Sequence, residues 1–276
     1  MSLTVVSTIA ELRAALAHKR AAGVAMVPTM GALHDGHLSL VTAADKPTVV
    51  VSIFVNPTQF APHEDFDAYP RNLDADLARL ETVGSPIVFA PTAREMYPHG
   101  FATTVTVGGP SAGLETDFRP HFFAGVATVV AKLLLAALPD VAVFGQKDYQ
   151  QLLVVKRLAT DLGLPTVIIG APIAREADGL ALSSRNAYLN AGERAIAANL
   201  NKVLRDVISR ARESGNLRDA QAYGEATLKA VGFDSVDYVA IRDSETLAET
   251  ADLSRPARIL AAAKVGRTRL IDNMPV

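Results

Sequence analysis

The stretch Met26-Val-Pro-Thr-Met-Gly-Ala-Leu-His-Asp-Gly-His-Leu-Ser-Leu-Val41 joins an apolar run to the first turn of a predicted helix. The apolar run, residues 24–27, is typical of a strand that is buried on both faces, and it stops at Pro28. Small residues then lead to His34 and His37, which are three positions apart and therefore share one face of a helix. The stretch predicts a strand, a loop and a helix N-terminus that carries two imidazoles.

A helix N-terminus is a natural anion site, because it offers free backbone N–H groups and the positive end of the helix dipole. Gly36 has no Cβ, so a phosphate can approach the backbone closely there. The two histidines could instead be ordinary surface residues or metal ligands. Zinc is the weaker alternative, because a catalytic zinc needs three protein ligands and no third one lies at suitable spacing nearby. The motif favours a nucleotide phosphate site without a metal held by protein side chains.

Short apolar runs alternate with helical patterns through the first part of the chain. This strand–helix–strand order predicts an α/β fold with a parallel sheet. Ligands of such sheets bind at the carboxyl ends of the strands. The predicted strands cover residues 24–27, 49–54, 87–89, 141–144 and 166–169. The predicted helices cover residues 9–20, 36–44, 73–82, 125–138 and 149–162.

The sequence divides into two expected domains, 1–175 and 176–276, of which the second has the pattern of a small α+β domain. Asn190 with Glu193 three residues later is a capping-box pattern, and the helix that follows should stop at Ser214-Gly215. A second helix is predicted over 219–231. Three strands follow at 236–241, 259–263 and 268–271, and the last two are predicted to form a hairpin.

The composition excludes several classes of protein. The chain has 276 residues, 49% of them hydrophobic, which suffices for one large or two unequal domains. A net charge of −2 argues against a nucleic-acid surface, and the lack of cysteine excludes disulfides and thiolate metal sites. The longest apolar run, 126–138, contains Lys132 and is too short to span a membrane. Because we see no secretory leader, we expect a cytoplasmic protein without nucleic-acid or membrane partners.

Polar side chains also follow two other predicted strands. Asn56 and Gln59 follow the strand at 49–54, where their amides could hold a carboxylate or hydroxyl without supplying charge, although Asn56 could simply form an Asx turn. Lys147 follows the strand at 141–144 and suits a phosphate oxygen. The neighbouring Asp148 could orient Lys147 or cap the next helix, and Gln151 lies one turn further on.

Two loops could add to such a site. Leu182-Ser-Ser-Arg-Asn186 could clamp a phosphate or be a plain turn, and Arg119-Pro-His-Phe-Phe123 precedes a predicted helix. The sequence has no Walker A motif, no Gly-x-Gly-x-x-Gly after a strand and no Gly-x-Ser-x-Gly elbow. These absences exclude a P-loop and argue against a dinucleotide-binding fold and an α/β-hydrolase.

Four blocks of the chain together resemble the pantoate–β-alanine ligase family. They are residues 27–37, 52–60, 144–151 and 175–186, and the resemblance continues to Arg269-Leu-Ile-Asp-Asn273. The His-x-Gly-His element alone indicates only the wider nucleotidyltransferase superfamily. The family implies a Rossmann-like parallel-sheet domain, a smaller C-terminal α+β lid domain and a homodimer.

The resemblance also implies a reaction. The family condenses (R)-pantoate with β-alanine at the expense of ATP, with Mg²⁺, through a pantoyl adenylate, and releases AMP and pyrophosphate. The alternatives are another nucleotidyltransferase of the superfamily, or a nucleotide-binding module without catalysis.

Carried over residue by residue, the resemblance implies three catalytic residues, His37, His34 and Lys147, with His37 as proton donor. The implied ATP-binding residues are Met30, Gly31, Ala32, Leu33, His34, Asp35, Gly36, His37, Gly145, Gln146, Lys147, Asp148, Ala174, Leu182, Ser183, Ser184 and Arg185. The implied substrate-binding residues are Gln59, Gln151, Asn56, Arg119 and an apolar wall of Val126, Val129 and Val130.

The chain departs from the family pattern at three places. The segment 42–48 is shorter than usual, which should trim the preceding helix. Phe122 stands where the family has a histidine, with His121 one position earlier, and this puts a polar contact from that loop in doubt while Arg119 remains. Ala174 replaces a valine expected beside the adenine.

Overall fold

The computed structural model describes residues 3–61, 64, 66–84 and 86–276. Its contacts group the chain into two compact units. We call Met1–Gln146 with Gln151–Pro172 the N-terminal unit, and Lys147–Gln150 with Ile173–Val276 the C-terminal unit. Among the described residues, no helix combines the length and apolar character needed to cross a membrane.

The N-terminal unit contains a six-stranded parallel sheet in the order β1-β4-β3-β2-β5-β6, which confirms the predicted fold class. Every predicted strand is present. The additional edge strand, β1, has only three residues, two of them exposed, so it carries almost no apolar pattern. The strands are β1 Thr4–Val6, β2 Val24–Thr29, β3 Thr48–Ile53, β4 Ile87–Phe89, β5 Val141–Gly145 and β6 Val167–Ala171.

Seven helices of the described residues accompany this sheet in sequence. They are α1 Ile9–Leu16, α2 Asp35–Ala43, α3 Leu73–Glu81, α4 Ala93–Met96, α5 Glu115–Phe118, α6 Phe122–Ala137 and α7 Tyr149–Asp161. The helix predicted over 9–20 ends early, at Leu16, which is its last buried apolar residue. Arg20 lies beyond the helix in a 3-10 turn, and its side chain contacts the end of α6. Arg20 donates to the carbonyl of Ala137 at 2.8 Å, and Arg13 donates to that of Ala136 at 3.4 Å. These side chains satisfy carbonyls at the end of α6.

The strand order reverses beside β2, which has β3 on one side and β5 on the other. In open parallel sheets the ligand crevice lies at such a reversal, at the carboxyl ends of the strands. Residues 30–37 follow β2 directly, and Gly145 ends β5. Apolar side chains of the sheet pack against the buried Leu40 and Val41 of α2. This packing fixes α2 against the sheet, with its N-terminus in the connection from β2.

The C-terminal unit contains a three-stranded antiparallel sheet and three further helices. The strands are β7 Ser235–Asp243, β8 Ala257–Val265 and β9 Thr268–Pro275, and the helices are α8 Ala191–Ala197, α9 Asn199–Ser214 and α10 Leu217–Ala230. The hairpin of β8 and β9 is confirmed. So is the capping box: Asn190 accepts from the N–H of Glu193 at 2.9 Å, and Glu193 accepts from that of Asn190 at 2.8 Å.

The single helix predicted after Asn190 is in fact two. The N–H of Ala198 donates to the carbonyls of Arg194 and Ile196, which tightens the backbone and separates α8 from α9. Gly215, with φ of 68°, ends α9 at the predicted stop. The apolar face of α9, with Leu200, Leu204 and Val207 fully buried, belongs to the core of this unit.

Gly125 lets α6 approach the turn that follows β3. A Cβ at this position would lie 2.3 Å from the carbonyl oxygen of Thr58, so only glycine fits without a backbone shift. The carbonyl of Gly125 also accepts a hydrogen bond from the Asn56 side chain at 3.2 Å. The contact therefore couples α6 to the 3-10 turn Pro57–Gln59.

We expect Gly125→Ala to lower the free energy of unfolding by about 1–3 kcal/mol, because the added methyl overpacks against rigid backbone. Urea denaturation measures the change. The matched control is Gly192→Ala in α8, where a Cβ makes an ordinary contact of 3.4 Å and should raise stability by up to about 1 kcal/mol. Equal stability of Gly125→Ala and the parent protein would contradict the packing argument.

Candidate active site

The loop between β2 and α2 has two consecutive residues in the left-handed region. Gly31 has φ of 80° and Ala32 has φ of 50°. Asp76 of α3 holds this loop, since its carboxylate accepts from the N–H of Ala32 at 3.1 Å and from that of Leu33 at 2.7 Å. A Cβ on Gly31 would lie 2.8 Å from Asp76 Oδ2, so the loop requires glycine for its space as well as its conformation.

Asp76 is itself almost fully buried, with 4% of its surface exposed. Burial raises the pKa of its carboxyl, while the hydrogen bonds from Leu33 and Ala32 and the charge of Arg79 act in the opposite direction. The sequence prediction missed Asp76, because an acidic residue in the first turn of a helix is adequately explained by the helix dipole. Its burial, directly after the exposed residues 71–75, is visible only in the structure.

His34 and His37 cap the N-terminus of α2. His34 Nδ1 accepts from the N–H of Gly36 at 3.2 Å, and His37 Nδ1 accepts from the N–H of His34 at 3.3 Å. The ring centroids are 4.0 Å apart. An accepting nitrogen carries no hydrogen, so each neutral ring has its hydrogen on Nε2. The backbone thus selects, for both histidines, the tautomer that can donate to a phosphate oxygen.

Asp35, at the first position of α2, is the one negative side chain in the predicted 30–37 loop. Arg79 of α3 donates to its Oδ1 at 2.5 Å. This pair offsets a charge that would otherwise repel an anion at the helix N-terminus.

Asn56 forms the Asx turn that was the alternative to a substrate-binding role, and it also orients Gln59. Its Oδ1 accepts from the N–H of Thr58 at 3.3 Å and from the Tyr97 hydroxyl at 2.7 Å, and burial raises the pKa of that phenol. Its Nδ2 donates to Gln59 Oε1 at 3.0 Å. Gln59 must therefore turn its Nε2 donor the other way, where it lies 3.0 Å from Met30 Sδ. The structure thus brings the predicted pantoate amide and the predicted ATP loop together.

Arg119 is held by internal contacts. Its guanidinium makes two hydrogen bonds to Glu64, at 2.7 and 2.6 Å, and donates to the carbonyl of Gln59 at 3.3 Å. The ring of Phe122 lies 3.8 Å from the guanidinium carbon. Phe122, at the position where the resemblance predicts a histidine, therefore supports Arg119 by a cation–π contact. Glu64 and Tyr97 were not predicted, because neither lies in a recognisable motif.

The other predicted residues of the N-terminal unit lie on β5, α6 and α7. Val126, Val129 and Val130 are buried on α6, and Gln151 is half-buried on α7. Gly145 is the last residue of β5. The side chain of the next residue, Gln146, donates to the carbonyl of Gly170 in β6 at 3.1 Å.

The predicted phosphate donors Lys147, Ser183, Ser184 and Arg185 all belong to the C-terminal unit. Lys147 Nζ lies 3.9 Å from Asp148 Oδ2, which is longer than a hydrogen bond. Ser183 accepts from the N–H of Arg185 at 3.3 Å and caps a 3-10 turn over Ser184–Tyr188. The N–H of Leu182 donates to the carbonyl of Ala174 at 2.9 Å. That these donors face the same triphosphate as the histidines stays a prediction.

A family model described as pantoate-beta-alanine ligase matches residues 4–275. The chain belongs to this family. It is 56% identical to a pantothenate synthetase of Mesorhizobium japonicum over 99% of this chain and 97% of that protein. It is 55% identical to one of Rhodospirillum rubrum over 100% of this chain and 99% of that protein. The resemblance found in the sequence is confirmed.

Solved structures agree with the assignment. A crystal structure of pantothenate synthetase from Thermus thermophilus has a TM-score of 0.93 and 49% identity, over 99% of both chains. One of pantoate-beta-alanine ligase from Francisella tularensis has a TM-score of 0.84 and 33% identity, over 99% of this chain and 98% of that chain. The latter is complexed with beta-gamma ATP and beta-alanine.

We expect Asp76→Asn to lower the free energy of unfolding by about 1–3 kcal/mol. The amide keeps the shape of the carboxylate but turns an NH₂ group toward the N–H of Ala32 or Leu33, which leaves a buried donor unpaired. Urea denaturation measures the loss. Asp74→Asn, on the exposed face of α3, is the matched control and should change stability by less than about 0.5 kcal/mol. Equal effects of the two variants would refute the assigned role.

Proposed function

We propose that this protein condenses (R)-pantoate with β-alanine at the expense of ATP, through a pantoyl adenylate, and releases AMP and pyrophosphate. One observation carries the proposal: the loop that ends in the paired His34 and His37 contacts Gln59 through Met30. An anion-binding helix N-terminus thus adjoins an oriented amide donor, in a chain that belongs to the pantoate–β-alanine ligase family.

The first half-reaction is nucleophilic substitution at the α-phosphorus. A carboxylate oxygen of pantoate forms a bond to phosphorus, and the bond from phosphorus to the bridging oxygen of pyrophosphate breaks. Negative charge grows on the α-phosphate and on the leaving group. Preplaced donors stabilise this charge, each by roughly 3–4 kcal/mol. We assign the donation to His34, His37 and Lys147, with Ser183, Ser184 and Arg185 completing the nucleotide site.

In the second half-reaction, the amine nitrogen of β-alanine attacks the acyl carbon of the adenylate. The bond from that carbon to the phosphate oxygen breaks, AMP leaves, and the nitrogen loses its proton as the amide forms. The adenylate is open to hydrolysis, so the site must exclude water. We propose that the smaller C-terminal part, predicted as 176–276, is the lid that does this, with 1–175 as the binding domain.

Neutral amides suit the pantoate site, because a cation would hold the nucleophilic carboxylate too tightly. Gln59 and Gln151 fill this role in the proposal, with Val126, Val129 and Val130 against the gem-dimethyl group. Asn56 and Arg119 act through Gln59, since the side chain of Asn56 and the guanidinium of Arg119 already bond within the protein. In this proposal the 119–123 loop still supports the pantoate site, through Arg119 and Gln59, although Phe122 stands where the resemblance predicts a histidine.

We propose that Mg²⁺ accompanies ATP. The residues described by the structure contain no group of three His, Asp or Glu side chains that could hold a metal ion. Mg²⁺ commonly keeps several waters and binds substrate phosphates, which fits a site made of donors. When bound, it would neutralise phosphate charge.

A homodimer is also part of the proposal. The edge strand β6 exposes 62% of Val167 and 39% of Ile169, and Leu162 nearby in sequence is 51% exposed. An open apolar edge strand favours pairing with another chain, and a second copy would cover it. Location in the cytoplasm remains a prediction from the sequence.

Exchange of labelled pyrophosphate into ATP, dependent on pantoate and without β-alanine, tests the reaction directly. We expect exchange in the parent protein and a loss of about 10²–10³-fold in His37→Ala, because one transition-state donor is removed. His18→Ala, an exposed imidazole after α1, is the matched control and should keep full activity.

Absence of exchange in the folded parent protein would refute the ligase. Exchange with another carboxylic acid but not with pantoate would favour a different nucleotidyltransferase. ATP binding without any pyrophosphate release would favour the non-catalytic module. If His37→Ala keeps an exchange activity close to that of the parent protein, His37 is not the proposed donor.

Gln59→Glu tests the orientation of the amide. The substitution keeps its shape but replaces the Nε2 donor, which faces Met30 Sδ, by a carboxylate oxygen, which repels the carboxylate of pantoate. We expect the KM for pantoate to rise about 30-fold, equivalent to about 2 kcal/mol, with the KM for ATP nearly unchanged. Gln221→Glu is the control, because the oxygen of Gln221, which a glutamate keeps, accepts from the N–H of Ile241 at 2.7 Å. A larger effect on ATP than on pantoate would contradict the placement.

A further inference from the structure

Two buried polar residues, Asp272 and Asn273, lie near the end of β9. Only 3% and 2% of their surfaces are exposed, and the reaction outlined above uses neither. They end the Arg269–Asn273 block, the last part of the chain that resembles the family. Buried polar groups are costly unless they are hydrogen-bonded, so their partners indicate what they hold.

Asp272 holds the segment that leads to the 182–185 loop. Its carboxylate makes a two-point ion pair with Arg175, at 2.7 and 2.8 Å, and accepts from Asn201 at 3.3 Å. Arg175 also donates to the carbonyl of Gly179 at 2.9 Å. The backbone of Arg175 pairs with that of Ala181. The β9 end is thus tied to the start of one predicted phosphate-binding segment.

Asn273 holds the other predicted phosphate-binding segment, the one that contains Lys147. Its Nδ2 donates to the main-chain carbonyl of Lys147 at 2.8 Å, and its Oδ1 accepts from the Arg258 guanidinium at 3.0 Å. A guanidinium can only donate, so Arg258 fixes which end of the amide faces Lys147. Arg258 is buried and lies 3.8 Å from the ring centre of Tyr149, two residues after Lys147. The residues around Lys147 are therefore fixed to the C-terminal sheet.

The ammonium of Lys147 is held less firmly than its main chain. Its 3.9 Å separation from Asp148 Oδ2 is at the limit of an ion pair, and its side chain is 20% exposed. Four rotatable bonds separate the charge from the backbone. The main chain therefore sets which positions the charge can reach, and Asn273 donates a side-chain hydrogen bond to that main chain.

We propose that Asn273 is a positioning residue for Lys147, which it holds by its hydrogen bond to the Lys147 carbonyl so that the ammonium reaches the transferring phosphate. This inference rests on the proposed function, and it adds to it a residue that touches no substrate. Misplacement of a catalytic group by about 1 Å can cost about 100-fold in rate.

Asn273→Asp is the sharpest variant. It keeps the acceptor for Arg258 but replaces the Nδ2 donor by an oxygen that repels the Lys147 carbonyl. In the pyrophosphate-exchange assay, we expect kcat to fall about 10- to 100-fold and the KM for ATP to rise, with the KM for pantoate unchanged within about 2-fold. Should the protein not fold, Asn273→Ala removes the donor without adding a charge and is tested in the same way.

A double-mutant cycle shows whether the effect passes through Lys147. In a Lys147→Ala background, Asn273→Asp should change the remaining exchange rate by less than about 2-fold, because the group that it positions is gone. Leu270→Ala is the matched control, since Leu270 is buried on the same strand and contributes to the apolar core of the unit. It should lower the melting temperature and leave kcat and both KM values unchanged while the protein is folded.

The outcomes separate the two proposals. If Lys147→Ala keeps full exchange activity, the role given to Lys147 in the proposed function fails, and the role of Asn273 fails with it. If Lys147→Ala loses activity but Asn273→Asp does not, only the positioning role is overturned. It is also overturned if Asn273→Asp reduces the rate by the same factor in both backgrounds, or if Leu270→Ala reproduces its kinetic effect.

Discussion

The buried carboxylate of Asp76 fixes the backbone of the loop that carries the proposed phosphate donors His34 and His37. It bonds two successive N–H groups of a loop whose residues Gly31 and Ala32 are left-handed. Such a conformation is costly for Ala32 and persists only when its surroundings enforce it. From this loop the chain enters α2 with His34 and His37 already locked by backbone N–H groups. The order of dependence runs from Asp76 to the loop, and from the loop to the imidazoles.

Hydrogen bonds within the protein also fix polar side chains away from the histidines. Asn56 has its donor and acceptor atoms bonded within the protein and thereby sets the direction of the Gln59 amide. Arg119 uses its guanidinium on Glu64 and on the carbonyl of Gln59. A site built on rigid supporting contacts places donors before the substrate arrives, and preplaced donors are what a reaction with growing phosphate charge requires.

Sequence reasoning succeeded where the signal is local. The buried parallel strands are nearly continuous apolar runs, and the Asn190 cap and the Gly215 stop have side-chain or conformational causes within a few residues. It failed where the cause is distant. Asp76 is 44 residues from the N–H of Ala32 that it holds, and Asn273 is 126 residues from the Lys147 carbonyl to which it donates.

By itself the sequence determined the α/β class, the family, and the residue types that can donate to phosphate or hold a carboxylate. These follow from apolar periodicity and from motifs, which need only neighbouring positions in the chain. The tertiary structure alone decided that Asp76 holds the loop before His34, that Tyr97 and Gly125 hold Asn56, and that Asn273 bonds the Lys147 carbonyl. The reason is that hydrogen-bond direction and burial are set by partners as distant in sequence as Asp76 is from Leu33, and no local pattern encodes them.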